Sequence, residues 1–146
     1  GHLQSNKAKL AAQLFHMIHS VDSLKLMRAL DNHAEQTLPI LLQVNVAGDV
    51  AKFGFKPEEA REALEKANES GHCEVHGLMT IPPFSADPEK TRAHFRALRE
   101  LRDQLEQEVG MPLPELSMGM SHDLEVAIEE GSTWVRIGTD LFGARG

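Results

Sequence analysis

Five short apolar runs, each but the last followed by a stretch of helical periodicity, constrain this chain more than any other feature. The runs cover residues 17–21, 38–46, 75–81, 116–120 and 133–138. The second contains Ile40-Leu41-Leu42-Gln43-Val44-Asn45-Val46, a nearly continuous apolar segment of the kind that suits a strand covered on both faces. Strands separated by helices pair in parallel through right-handed crossovers. The fold class is therefore α/β, with about five parallel strands and the helices outside. An open doubly wound sheet and part of a (β/α)₈ barrel both fit the pattern, and periodicity alone does not choose between them.

The helices carry their own punctuation. Ser23 is placed to cap a helix over residues 24–34. Pro57-Glu58-Glu59 opens another, in which Ala60, Ala63, Leu64 and Ala67 share a face, and Gly71 stops it. Asp87-Pro88-Glu89 opens a long helix with an apolar stripe at Phe95, Leu98, Leu101 or Arg102, Leu105 and Val109, ended by Gly110. Glu100, Glu106 and Glu108 fall on its solvated side. Ser121 precedes a short helix that stops at Gly131.

Composition narrows the function. The formal net charge is −7 over 146 residues, which argues against non-specific nucleic-acid binding but not against a small anion held by local N–H groups and one arginine. No apolar run is long enough to span a membrane. The single cysteine, Cys73, cannot form an intrachain disulfide, and it reads as a small semi-buried hydrophobe in a cytoplasmic protein. None of the eight histidines shows metal-ligand spacing. No Ser-His-Asp order, P-loop or dinucleotide fingerprint occurs.

In parallel α/β proteins, ligands gather at the C-terminal ends of the strands. Two such ends stand out. In Gly119-Met120-Ser121-His122-Asp123, Ser121 either caps the following helix or joins its first N–H groups in holding a phosphate. In Val135-Arg136-Ile137-Gly138-Thr139, Arg136 lies within an otherwise apolar strand. A buried guanidinium needs an acceptor, either an internal carboxylate or a ligand. Gly138 and Thr139 follow, where backbone N–H groups become available. Gln43 and Asn45 share one face of their strand, which makes Asn45 a further candidate. His76 and His122 read as structural or solvated.

Seven segments appear in order: His2-Leu3-Gln4-Ser5-Asn6-Lys7, Ile18-His19-Ser20-Val21-Asp22, Leu42-Gln43-Val44-Asn45, Lys52-Phe53-Gly54, Gly77-Leu78-Met79-Thr80-Ile81, Leu116-Ser117-Met118-Gly119-Met120-Ser121 and Val135-Arg136-Ile137-Gly138-Thr139. Together they resemble the pyridoxal phosphate homeostasis protein family, over essentially the whole chain. The resemblance implies a (β/α)₈ barrel of the alanine racemase N-terminal type. It also implies a pyridoxal 5′-phosphate (PLP) cofactor that the protein buffers or delivers without established turnover. It places the phosphate on Ser121, Gly138 and Thr139, with Met120 lining the site, and sets Arg136 toward the pyridine nitrogen.

The family's chain starts well before His2. Residues 1–146 are therefore expected to be the C-terminal part of the barrel, without about three early strands and without the Schiff-base lysine. None of Lys7, Lys9, Lys25, Lys52, Lys56, Lys66 and Lys90 matches that lysine's motif. Self-association, or pairing with the missing N-terminal segment, is expected in consequence. A racemase-like PLP enzyme and an engineered partial barrel without activity are the alternatives.

Overall fold

Parallel strands need helices to cover them, and the chain supplies one between each pair. The computed structural model describes residues 2–50 and 53–138. A 3₁₀ turn at Ser5–Lys7 leads into helix α1 (Ala8–Leu14). Strand β1 (Ile18–Val21), helix α2 (Leu24–His33), strand β2 (Leu38–Gln43) and helix α3 (Ala60–Asn68) follow. Then come β3 (Cys73–Met79), α4 (Pro88–Val109), β4 (Glu115–Met120), α5 (Leu124–Glu129) and β5 (Trp134–Arg136). All neighbouring pairs are parallel and the order is β1-β2-β3-β4-β5. The result is a curled half-barrel with helices outside, which decides between the two architectures left open by periodicity.

The helix boundaries follow the side chains that can close them. The Ser23 hydroxyl accepts from Leu26 N at 3.1 Å, and the Asp87 carboxylate accepts from Glu89 N at 3.0 Å. Gly110 ends α4 in the left-handed region at φ 75°, where a side chain would be strained. One expectation is corrected. Ser121 does not cap α5: the N-cap is Asp123, and it makes no side-chain capping bond. Its Oδ1 instead accepts from Met120 N at 2.7 Å, tightening the turn between β4 and α5. Glu106 also departs from a purely solvated role, because its Oε2 accepts from Leu113 N at 2.8 Å.

The core lies between sheet and helices. Leu38, Ile40, Leu42 and Val44 alternate onto the helix side of β2. They join Leu26, Met27 and Leu30 of α2, Ala63 and Leu64 of α3, and Phe95, Leu98 and Leu105 of α4. Cys73 belongs to this core, and burial pushes its thiol up to about 12, which keeps it in the inert protonated form. Leu41, Gln43 and Met79 alternate to the concave face. They are buried there too, because the sheet curls over them.

At Gly77 two strands come closest. A Cβ there would lie 1.8 Å from the carbonyl oxygen of Glu115 on β4, a backbone atom that cannot rotate away. Gly77→Ala should therefore destabilise the protein by on the order of 3 kcal/mol, read as a lower urea midpoint. Gly71→Ala is the control, since nothing lies within 4 Å of its would-be Cβ. It should shift stability by less than about 0.5 kcal/mol.

Candidate functional site

The C-terminal ends of β4 and β5 lie side by side, because Met120 pairs with Arg136. Ser121 and Gly138, just beyond those ends, are thereby brought onto one rim. Met120 is 39% exposed beside them. Gly138 is exposed and has open space where a side chain would be, so a ligand can approach its backbone. Thr139 lies outside the described residues. Asn45 stands apart, beyond the end of β2, and its amide is committed to its own loop. Nδ2 donates to Asp49 O at 2.6 Å and Oδ1 accepts from Asp49 N at 3.3 Å. Four of the six candidates are therefore gathered on the β4–β5 rim, and Asn45 is placed on a loop it orders.

Arg136 shows what the rim is built around. Its Nη1 donates to the Ser117 hydroxyl at 2.7 Å and its Nη2 donates to the Thr80 carbonyl at 2.8 Å. Both acceptors are neutral. Neither an internal carboxylate nor a ligand is needed to explain its hydrogen bonds, yet its charge is left without a contacting counter-ion among the described residues. Burial lowers its pKa and the field of Asp123 partly offsets this. A guanidinium stays protonated regardless, so the concave face carries a positive charge with further N–H donors to spare.

His19 from β1 and Trp134 from β5 also meet at this spot. His19 Nδ1 on β1 lies 2.9 Å from Ser117 Oγ on β4. The His19 ring meets the edge of Trp134 on β5, with centroids 5.1 Å apart. Since β1 and β4 are not neighbours, these contacts cross the hollow of the half-barrel. Gln43 completes the concave face next to Met79. It is only 5% exposed, and its Oε1 has no hydrogen-bond partner among the described residues. Sequence reasoning weighed Arg136 because a charge interrupts an apolar strand. The same test, applied to uncharged polar residues within strands, would have found His19, Gln43 and Ser117. Among the described residues no group of three or more His, Cys, Asp or Glu is placed to hold a metal ion.

Comparisons with known proteins show the family. The family model for the alanine racemase N-terminal domain matches residues 1–146. The pyridoxal phosphate homeostasis protein of Aquifex aeolicus (strain VF5) is 50% identical over 150 residues, covering 99% of this chain but 65% of that protein. The protein of the same name from Synechocystis sp. is 39% identical over 148 residues, covering 99% of this chain and 68% of that one. The solved structure of PipY from Synechococcus elongatus PCC7942 with PLP bound superposes with a TM-score of 0.89 at 39% identity, covering 98% of this chain and 68% of PipY. Its PLP-free structure superposes with a TM-score of 0.90. This chain thus spans somewhat less than two thirds of the A. aeolicus relative's length. On the match of its whole sequence and of its half-barrel, the chain belongs to the alanine racemase N-terminal domain family, and within it to the pyridoxal phosphate homeostasis proteins.

Proposed function

We propose that the concave face and the β4–β5 rim bind pyridoxal 5′-phosphate as a carried cofactor, in the service of PLP homeostasis and without turnover by this chain. The observation that carries the reading is Arg136, a half-buried guanidinium whose two hydrogen bonds go to neutral acceptors. Such a cation favours a ligand rich in acceptors and negative charge. The buried Oε1 of Gln43 on the same face, which has no partner among the described residues, fits a polar ligand rather than an apolar one. The PLP-bound structure of PipY supports the choice of cofactor.

The chain's residues divide the work. Ser121 and the backbone N–H of Gly138 hold the phosphate at the rim. Met120 lines the approach, and Asn45 shapes the loop on the opposite side. Arg136 lies toward the pyridine nitrogen and donates to it. When bound, PLP supplies an electron-withdrawing ring. A guanidinium can donate to the ring nitrogen but leaves it unprotonated, which weakens that withdrawal. This favours carriage over the racemase-like alternative. No helix among the described residues is long and apolar enough to cross a membrane.

A second reading, of assembly, rests on the edges. Within the described sheet β1 and β5 each have one neighbour, and Trp134 on β5 is 45% exposed. Leu10, Leu14 and Phe15 are exposed at the β1 side. Open edges beside apolar surface promote association. The partner is a second copy or further strands preceding residue 1.

Fluorescence, the cofactor's spectrum, borohydride trapping and light scattering test these readings. Trp134 is the only tryptophan, so PLP binding should quench its fluorescence. Ser121→Ala should weaken retention by about 1–3 kcal/mol with little change in the cofactor's spectrum. Arg136→Glu should change the spectrum by letting the ring nitrogen protonate. Borohydride should leave all seven lysines unmodified at stoichiometric PLP, and a single-site adduct would overturn carriage without a covalent link. For assembly, light scattering of the chain alone should show a dimer or larger species, whereas a monodisperse monomer removes the second reading.

A further inference from the structure

Ser117 has one hydroxyl proton and two polar neighbours on the concave face. Arg136 Nη1 can only donate, so Ser117 Oγ accepts that bond. The hydroxyl proton must then find an acceptor. Ser117 is 0% exposed, and among the described residues the only acceptor facing its Oγ is His19 Nδ1 at 2.9 Å. Were Nδ1 protonated, it would donate into the same oxygen and leave the serine proton buried without a partner, at a cost of about 1–3 kcal/mol. The network therefore assigns His19 as the neutral tautomer with its proton on Nε2. The bonds run in one direction, from Arg136 to Ser117 to His19.

We propose that His19 is a positioning residue for Arg136. Acting through Ser117, the neutral imidazole fixes the guanidinium over the concave face, and protonation of the imidazole releases it. The functional half of this inference rests on the reading of that face as the cofactor side. The charged groups around the imidazole bear on when it titrates. Burial is the largest influence and lowers its pKa from the ordinary 6.5, and the neighbouring Arg136 cation lowers it further. Glu115 on β4 acts in the opposite direction, with its Oε2 accepting from the Thr133 hydroxyl at 2.7 Å. The facing residues on β2 and β3, Leu41, Gln43 and Met79, do not titrate. As pH falls below 6.5 and through the lowered value, the imidazolium reverses the bond to Ser117. It also places a second positive charge two hydrogen bonds from Arg136. By linkage, a ligand that binds the guanidinium in its fixed position makes that protonation harder.

The test follows histidine-labelled protein by nitrogen and carbon NMR, with the His19 signal identified by its loss in His19→Asn. Without ligand, a bare Nδ1 at neutral pH and a titration midpoint below 6.5 are expected. Arg136→Gln should move the midpoint up, and Ser117→Ala should let the two neutral tautomers mix. Trp134 fluorescence then reports PLP affinity against pH. The asparagine variant keeps an acceptor where Nδ1 stood but cannot charge, so it should lose the part of the pH slope that wild type shows through the His19 midpoint. His19→Phe, which has no acceptor, should bind about 2- to 10-fold more weakly at every pH. A midpoint at or above 6.5 that Arg136→Gln does not move overturns the relay, as do superimposable pH profiles for wild type and His19→Asn. If the NMR results hold while PLP fails to bind, the relay stands and the cofactor reading falls.

Discussion

The Ser117 hydroxyl is the point at which contacts from β1 and β5 meet on the concave face. A parallel sheet twists by itself, but nothing in twist alone brings β1 opposite β4. His19 from β1 and Arg136 from β5 both end on Ser117, and Trp134 packs against His19 from the side. Arg136 also spans β4 to reach the Thr80 carbonyl at the end of β3. These contacts tie the open ends of the half-barrel across its hollow. They are polar, so they lock one geometry, whereas apolar packing of similar volume tolerates several.

Placing a guanidinium in this position has a cost that the structure does not cancel internally. The acids that pair well in this protein do so elsewhere. Glu130, 5% exposed, gathers Arg92, Arg96 and Arg99 between α4 and α5, and these arginines hold its carboxyl down at about 2. Asp31 accepts from the backbone N–H groups of His72 and Cys73 at 2.7 and 2.9 Å, anchoring the start of β3 to α2. Both sets fasten helix to sheet or helix to helix on the outer layer. The concave face has the opposite character, with an arginine bonded to neutral oxygens and a glutamine oxygen left without a partner among the described residues. Buried polar groups left in this state are uncommon in finished cores, which is why the concave face, and not the wider clefts between helices, is the place to look for a ligand.

Much of the fold was legible because parallel strands and amphipathic helices write different periods into the sequence. The long helix opened at Asp87 and stopped at Gly110 as its punctuation implied, and three of the five strands fell within their apolar runs, while β3 and β4 begin slightly before theirs, at Cys73 and Glu115. Helix α1 was not foreseen. Its seven residues are too few for a sustained stripe, and only Ala8 and Ala11 are buried, so small residues carry its packing. The end of β2 was overestimated for a related reason. The apolar run continues through Val44 and Val46, but past Gln43 the chain keeps only a last bond from Val44 N to Met79 O and an isolated parallel bridge between Val44 and Phe55. The pairing of Ser121 with a helix cap failed because Asp123 closes the same turn from two residues further on.

The rim itself depends on an irregularity that alternation cannot reveal. Between Ser117 and Met120 on β4 there are three steps, and between their partners Trp134 and Arg136 on β5 there are two. β4 therefore carries one extra residue, a bulge. Strict alternation would place Met120 with Leu116 and Met118 on the helix side. The extra residue instead sets it level with Arg136. Gly119 makes this possible in two ways. Its φ of 102° lies where side chains are strained, and a Cβ there would come within 2.5 Å of the Ala127 methyl on α5. Only glycine lets β4 shift its register while α5 stays pressed against it. That shift carries the turn at Ser121 to the level of Gly138, and so the Ser121–Gly138 rim follows from the backbone freedom of one residue in the strand before it.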